Sequence, residues 1–410
     1  MKVQGRVRLL LFAILVLLAV FGVLLMVGCS YQYKCAATFG GGTTCTPSGG
    51  GIGGGGGGTG VNGPCSTTQH PSQVLFSMDI PTSGTLAPVD GFAIDANGNL
   101  TLMCNNVSAN LGEIAVVSNK FLYVLDPLSA TIAGFSIAHG NSGLLTAIPN
   151  QPFAVTDTFQ QFHHIVADPL GRFVFVSNFE GNKVHVFLVD QVSGGLTEAA
   201  ASPLNIAFPN HVAVTPSGNF VFIPSSQFGQ ISIFTIDAAG TLTPTANSPF
   251  LVPAANVGDF PLFAEVHPSG NFLFTADFTS ASVFTIDGTT GALAYAPGSP
   301  VDLFTPFSVQ PFQLAFNNNG QFAYFNGQGN QGVPGYSVDT TTGALTVVSG
   351  SPFAQTSVVD LVPNPLAAQM YVQIGNSVNL YAINGSGALI APLGAPTVFT
   401  TTNLVIANVQ

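Results

Sequence analysis

A short pattern returns seven times between residues 92 and 389, and it constrains the fold more than any other feature of the chain. It reads aromatic, any residue, aliphatic, usually Asp, then a turn with Gly, then Leu two residues on. The copies begin at Phe92, Phe135, Phe187, Phe234, Phe284, Tyr336 and Tyr381. Their turn glycines are Gly98, Gly143, Gly194, Gly240, Gly291, Gly343 and Gly387, spaced 45, 51, 46, 51, 52 and 44 residues apart. A second element keeps the same period: a Gly that ends a tight turn, then an apolar run, as in Gly171-Arg172-Phe173-Val174-Phe175 and Gly270-Asn271-Phe272-Leu273-Phe274. A third is Ser-Pro-apolar, at Ser202, Ser248, Ser299 and Ser351.

Each period therefore holds about four strands, here named A to D. In the copy around residue 230 they are A (211–215), B (220–223), C (231–237) and D (from 242). Along C, Ile231, Ile233 and Thr235 alternate with Ser232, Phe234 and Ile236, so both sheet faces carry apolar side chains. Such a sheet cannot bury its faces alone and needs a neighbour on each side. Charged residues make up only 6% of the chain, too few to furnish the outer faces of long helices. Four strands per unit and seven units predict an all-β fold, a seven-bladed β-propeller over residues 72–410. A stacked β-solenoid is the competing architecture, but it has a shorter period and flanking caps. The first unit lacks a strand A, since 73–78 reads as its strand B. The stretch 403–407 reads as a strand A with no B after it. Pairing the two closes the ring and removes an exposed edge. The strand-end Asp residues are read as structural acceptors for the turn amides.

The chain begins with an address. Lys2, Arg6 and Arg8 precede an uncharged apolar run from Leu9 to Val27, with Gly28 and Cys29 directly after it. This order describes a secretory signal. The run is also long enough to span a bilayer, so an uncleaved anchor is the alternative. Leu25-Met26-Val27-Gly28-Cys29 resembles the bacterial lipobox, which implies cleavage after 28 and lipid on Cys29. Both readings export the chain and tether it at the bacterial cell envelope, on the periplasmic or surface side. Residues 29–71, with an unbroken Gly53–Gly58 run, are expected to be a flexible tether. In an exported protein the four remaining thiols, Cys35, Cys45, Cys65 and Cys104, allow two disulfides in three pairings. Cys65–Cys104 is the favoured pair, fastening the tether to the globular body, with free thiols or another pairing as the alternative.

Charge narrows the partners. The whole chain has 7 Lys and Arg against 18 Asp and Glu. After the signal only Lys34, Lys120, Arg172 and Lys183 remain, so binding to a polyanion is excluded and nucleic acid is not a partner. No His-x-His, His-Glu-x-x-His or Asp-rich calcium loop occurs, and neither metal nor cofactor is called for.

With no Trp, the chain cannot carry Trp-Asp repeats. The run from Phe173 to Asn178 with Val184 to Asp190, and that from Gly240 to Phe250, resemble the YVTN-type repeats of the seven-bladed lactonase family, which includes 6-phosphogluconolactonases. That resemblance implies a site at the channel mouth, at the starts of the A strands. There lie His164 with His163 beside it, His211, Phe263, Gln313 and Asp360. Pro209-Asn210-His211 matches the Pro-x-His that opens a strand A in these enzymes. The catalytic candidates are His164, His211 and Asp360. Gln313, His163, Glu180, Lys183 and Asp277 are candidates for holding substrate. A phosphorylated lactone calls for Arg or Lys clamps, and Lys183 alone is within reach of the mouth. Two functions stand. One is a tethered module that binds a small molecule, glycan or envelope protein at the mouth without turnover. The other is a lactone hydrolase that uses the mouth histidines. His267, before Pro268 in a turn, is expected to be exposed, and His185 to pack or face solvent.

Overall fold

The computed structural model describes the backbone of residues 33–38 and 42–47 and most of 71–410. Within the latter, short stretches at 80–85, 104–106, 158–161, 253–260, 277–279, 304–309, 329–331 and 355–357, and a few single positions, are not described. The signal segment, Cys29, and the Cys65–Cys104 pair lie outside the described residues. Within the expected tether, Tyr33–Thr38 and Gly42–Pro47 pair as an antiparallel hairpin with Cys35 opposite Cys45.

Residues 71–410 form seven antiparallel sheets, the blades of a β-propeller. In the third blade, A is Phe162–Ala167, B is Phe173–Asn178, C is Lys183–Val189 and D begins at Leu196–Glu198. The inner A strands of blades two and four to seven are Glu113–Val117, Ala213–Val214, Phe263–Val266, Gln310–Phe316 and Val358–Pro363. The inner strand of the first blade is the last strand of the chain, Thr401–Asn408, which pairs antiparallel with Gln73–Asp79. The ring closes through this mixed-terminus pairing, as the orphan strands at the two ends of the sequence require.

The outermost strand is not continuous. In six blades a second short segment, such as Leu204–Asn205 or Phe250–Leu251, also pairs with strand C. The Ser-Pro motif sits at this break. There the Ser202, Ser248, Ser299 and Ser351 hydroxyls accept the amides of Val186, Ile233, Val283 and Gly335 at 2.7–3.0 Å. The motif recurs because a strand C amide otherwise lacks a partner where strand D breaks.

The core is a set of interfaces between blades. Phe173, Phe175 and Val186 of the third blade meet Val212, Val214 and Val221 of the fourth. Phe220, Phe222 and Ile233 meet Ala264, Val266 and Leu273 of the fifth. Each fully buried Phe contributes roughly 1.5–3 kcal/mol. Gly291 (φ +71°) shows why the repeat keeps its turn glycine. A Cβ there would meet the Phe220 ring of the preceding blade at 2.7 Å, and the backbone is left-handed. The strand-end Asp residues serve the turns as expected: Asp190 accepts the amides of Val192 and Ser193, and Asp237 those of Ala239 and Thr241, at 2.7–3.0 Å.

Of two histidines outside the mouth, His267 differs from expectation and His185 packs, one of its two expected states. His267 is buried, not exposed, because its Nε2 lies 2.8 Å from the Gly320 carbonyl in the adjacent blade's turn. His185 is fully buried between two carboxylates, with Nδ1 2.7 Å from Glu198 and Nε2 3.4 Å from Asp157.

Candidate functional site

The antiparallel registers bring the starts of the A strands, the ends of the B strands and the starts of the C strands to one edge of each sheet, the mouth side. The strand registers align one residue near the start of six of the seven A strands. Glu113 lies opposite Leu125, His164 opposite Ser177, Phe263 opposite Ala276, Gln313 opposite Asn326 and Asp360 opposite Gln373. His211 occupies the same level, between the Pro209–Ser225 bridge and the Ala213–Phe222 pair. The ladder is irregular just before His164, Gln313 and Asp360. A bulge re-aims the side chain after it, and here that side chain is a ring member each time.

Neighbouring blades thereby join into a polar ring. The Glu113 carboxylate binds the third blade twice, with Oε1 2.8 Å from His164 Nδ1 and Oε2 accepting the Ile165 amide at 2.7 Å. The His164 and His211 rings meet edge-on with centroids 4.9 Å apart, and His211 packs on Phe263 at 4.2 Å. Across the mouth, Gln313 donates to Asp360 at 2.7 Å. Asp360 also accepts the amide of Leu361 and that of Leu404 in the closing strand, at 2.7 and 2.8 Å. Glu113 and Asp360 thus do the same work, each accepting an inner-strand amide of the following blade.

The environments push the two histidines apart. Burial disfavours the charged form of His164, but the attraction and hydrogen bond of Glu113 outweigh it, and its pKa stands above the usual imidazole value. Burial and the adjacent His164 hold His211 well below that value, opposed only by a backbone hydrogen bond with Ala264. His211 Nδ1 is buried and has no hydrogen-bond partner among the described residues. Burial also raises Asp360, against its three hydrogen bonds.

Other sequence candidates are placed differently. Glu180 is exposed on a B–C connection beside the ring. Lys183 is committed to Asp157, with Nζ 3.1 Å from Oδ1. The His163 side chain and Asp277 lie outside the described residues. Glu113 was missed in the sequence because the second unit repeats only loosely; its signal is the position it shares with His164, one period earlier. Among the described residues no group of three His, Cys, Asp or Glu could hold a metal.

Residues 113–260 match the sequence profile described as "Lactonase, 7-bladed beta-propeller". No curated protein matches the chain. Among solved structures, one assigned provisionally as a 6-phosphogluconolactonase from Bacteroides fragilis is similar at 18% identity and a TM-score of 0.66, covering 84% of this chain and 99% of its own. The periplasmic gluconolactonase of Pseudomonas aeruginosa is similar at 16% identity and a TM-score of 0.64, covering 82% and 99%. A provisional 6-phosphogluconolactonase from Bacteroides uniformis is similar at 15% identity and a TM-score of 0.65, covering 82% and 100%. At these identities the likeness is one of fold. Together with the profile match, it gives the chain the fold of the seven-bladed β-propellers and a resemblance to the lactonase family over residues 113–260.

Proposed function

We propose that the mouth ring binds an uncharged lactone and hydrolyses it. The observation that carries this reading is the juxtaposition of His211, a neutral imidazole with an orphaned buried Nδ1, and His164, biased toward its cation by Glu113. Two titratable groups pushed to opposite sides of neutrality are suited to be a base and an acid. His211 takes a proton from water as the water oxygen attacks the lactone carbonyl. His164, protonated and held by Glu113, donates to the oxygen that becomes negative. The ring C–O bond then breaks and the leaving oxygen takes the proton from His211. The product is the open hydroxy acid.

The charge at the mouth speaks for a neutral substrate. The ring contains no Arg or Lys, Lys183 is paired, and Arg172 lies in an A–B turn, bound to Asp168 at 2.8 Å. A phosphorylated sugar lactone would lack the bidentate cationic clamp that such a group calls for. A gluconolactonase among the structural neighbours and the export address expected from the N-terminal sequence fit a substrate outside the cytoplasm. Acid release from a panel of lactones tests the reading. His211→Ala should lower kcat by about 10²–10⁴-fold, the usual contribution of a general base. Equal turnover by wild type and variant would remove it.

One observation favours a second reading, binding without turnover. Phe263, Gln313 and Asp360 make half of the ring, and they offer a stacking surface and hydrogen bonds but no free reactive group. In that case the partner is a glycan, a small molecule or an envelope protein. Binding would then survive the double change His164→Ala and His211→Ala.

A further inference from the structure

Below the mouth, the channel wall has one residue out of keeping with its repeat. Each inner strand turns one face to the preceding blade. In the fifth blade Ala264 and Val266 do so, packing with Phe220 and Phe222. The other face carries the ring residue at the mouth and, two residues deeper, a second layer. That layer is Ala115, Val166, Ala213, Ala315, Val362 and Val405 in six blades; in the fifth it is Glu265, beneath Phe263. Ala264 and Val266 are buried, while Glu265, on the opposite face of this inner strand, is only partly so.

The fold does not ask for this carboxyl. Small apolar residues serve the same place in the other blades, and an acid in an apolar wall lowers stability unless something hydrogen-bonds it. Burial pushes its pKa up to about 7, and no group among the described residues relieves it. At neutral pH a large share of the carboxyl is therefore protonated, able to donate one hydrogen bond and accept another.

We propose that Glu265 forms the floor of the mouth pocket and hydrogen-bonds a hydroxyl at the deep end of the ligand, selecting polyhydroxylated lactones over alkyl lactones. This rests on the mouth ring being the lactone site. The dimensions suit it: two residues along a strand span about 6.6 Å, the reach of a six-membered sugar lactone with its hydroxymethyl arm. With the carbonyl at His164 and His211, that arm arrives at Glu265. A buried polar group built to pair with a hydroxyl discriminates strongly against the analogue that lacks it.

The experiment compares glucono-1,5-lactone with δ-valerolactone, the same ring without hydroxyls, on wild type, Glu265→Gln and Glu265→Ala. Glu265→Ala should lower kcat/KM for gluconolactone by about 10–100-fold, mostly through KM, and change valerolactone by less than about twofold; Glu265→Gln should keep most of the preference. Equal losses on both substrates, or no loss on either, overturn the proposal. If wild type hydrolyses neither lactone, the hydrolase reading fails and this one is tested by calorimetry with gluconolactam, which keeps the hydroxyls and resists hydrolysis. Binding weakened at least about tenfold by Glu265→Ala then supports the floor. Unchanged binding, or none to wild type, overturns it.

Discussion

The phenol of Tyr371, in strand B of the last blade, donates a 2.8 Å hydrogen bond to the carbonyl of Gly98, in a turn of the first. Tyr123 does the same to Gly194 at 2.7 Å, and Tyr324 to Gly387 at 2.8 Å. The turn glycine that defines the repeat is thus also where one blade latches onto the next. In the other four blades the equivalent residue is Phe76, Phe175, Phe222 or Phe274. A Phe at position 371 therefore fits sterically and removes only the hydrogen bonds of the phenol, that to Gly98 and that with Asn364. Tyr371→Phe should lower stability by about 1–2 kcal/mol, the cost of a buried carbonyl left unpaired. Urea unfolding with an unchanged m-value would show it.

The Ser-Pro motif makes a separate prediction. Ser299 accepts the Val283 amide at 2.7 Å inside the fifth blade. Ser299→Ala leaves that amide without a partner and should cost about 1–3 kcal/mol. Hydrogen exchange should show the Val283 amide losing protection before its strand neighbours.

Asp360 joins the seventh blade to the closing strand through the Leu404 amide, and to the sixth through Gln313. Asp360→Ala leaves these donors buried and unpaired and should lower stability by about 3 kcal/mol or more. Thermal melts would register the loss, and limited proteolysis should release the 401–410 segment first.

The histidine pair sets the pH dependence of turnover. His211 has a lowered pKa, so it stays an unprotonated base to well below pH 6.5 and the rate falls only on further acidification. His164 has a raised pKa, so it keeps its proton past pH 6.5 and the rate falls on the alkaline side above that. The plot of log kcat/KM should be a bell with a broad top around pH 6.5, and Glu113→Gln should draw the alkaline limb toward the acid side.

Stability should fall in acid through the turn aspartates. Backbone hydrogen bonds from Ser193, Thr241, Thr290 and Thr342 hold Asp190, Asp237, Asp287 and Asp339 below the ordinary carboxyl value. A pKa lower in the folded state gives stability that is present above about pH 4 and lost as pH drops through the folded value. Asn384 makes the same bonds without a charge, accepting the amides of Ser386 and Ala388. Changing the four Asp to Asn should flatten the Tm profile between pH 5 and about pH 2.5.

The blade count, the closing strand and the work of the turn Asp were all legible in the sequence, because each follows from contacts within one repeat or from the two unpaired ends. Alternation, turn chemistry and period are local quantities. The site is not local. Glu113 reaches His164 from one period away, and Asp360 reaches Leu404 across the closure of the ring. His267 is buried by a carbonyl of the next blade, and Lys183 is neutralised by the connection before its own blade. Residue type and spacing put histidines at the mouth. Which carboxylate each would meet, and which way its proton equilibrium would move, depended on the stacking of separate sheets, because charge and burial act through space while a repeat is written along the chain.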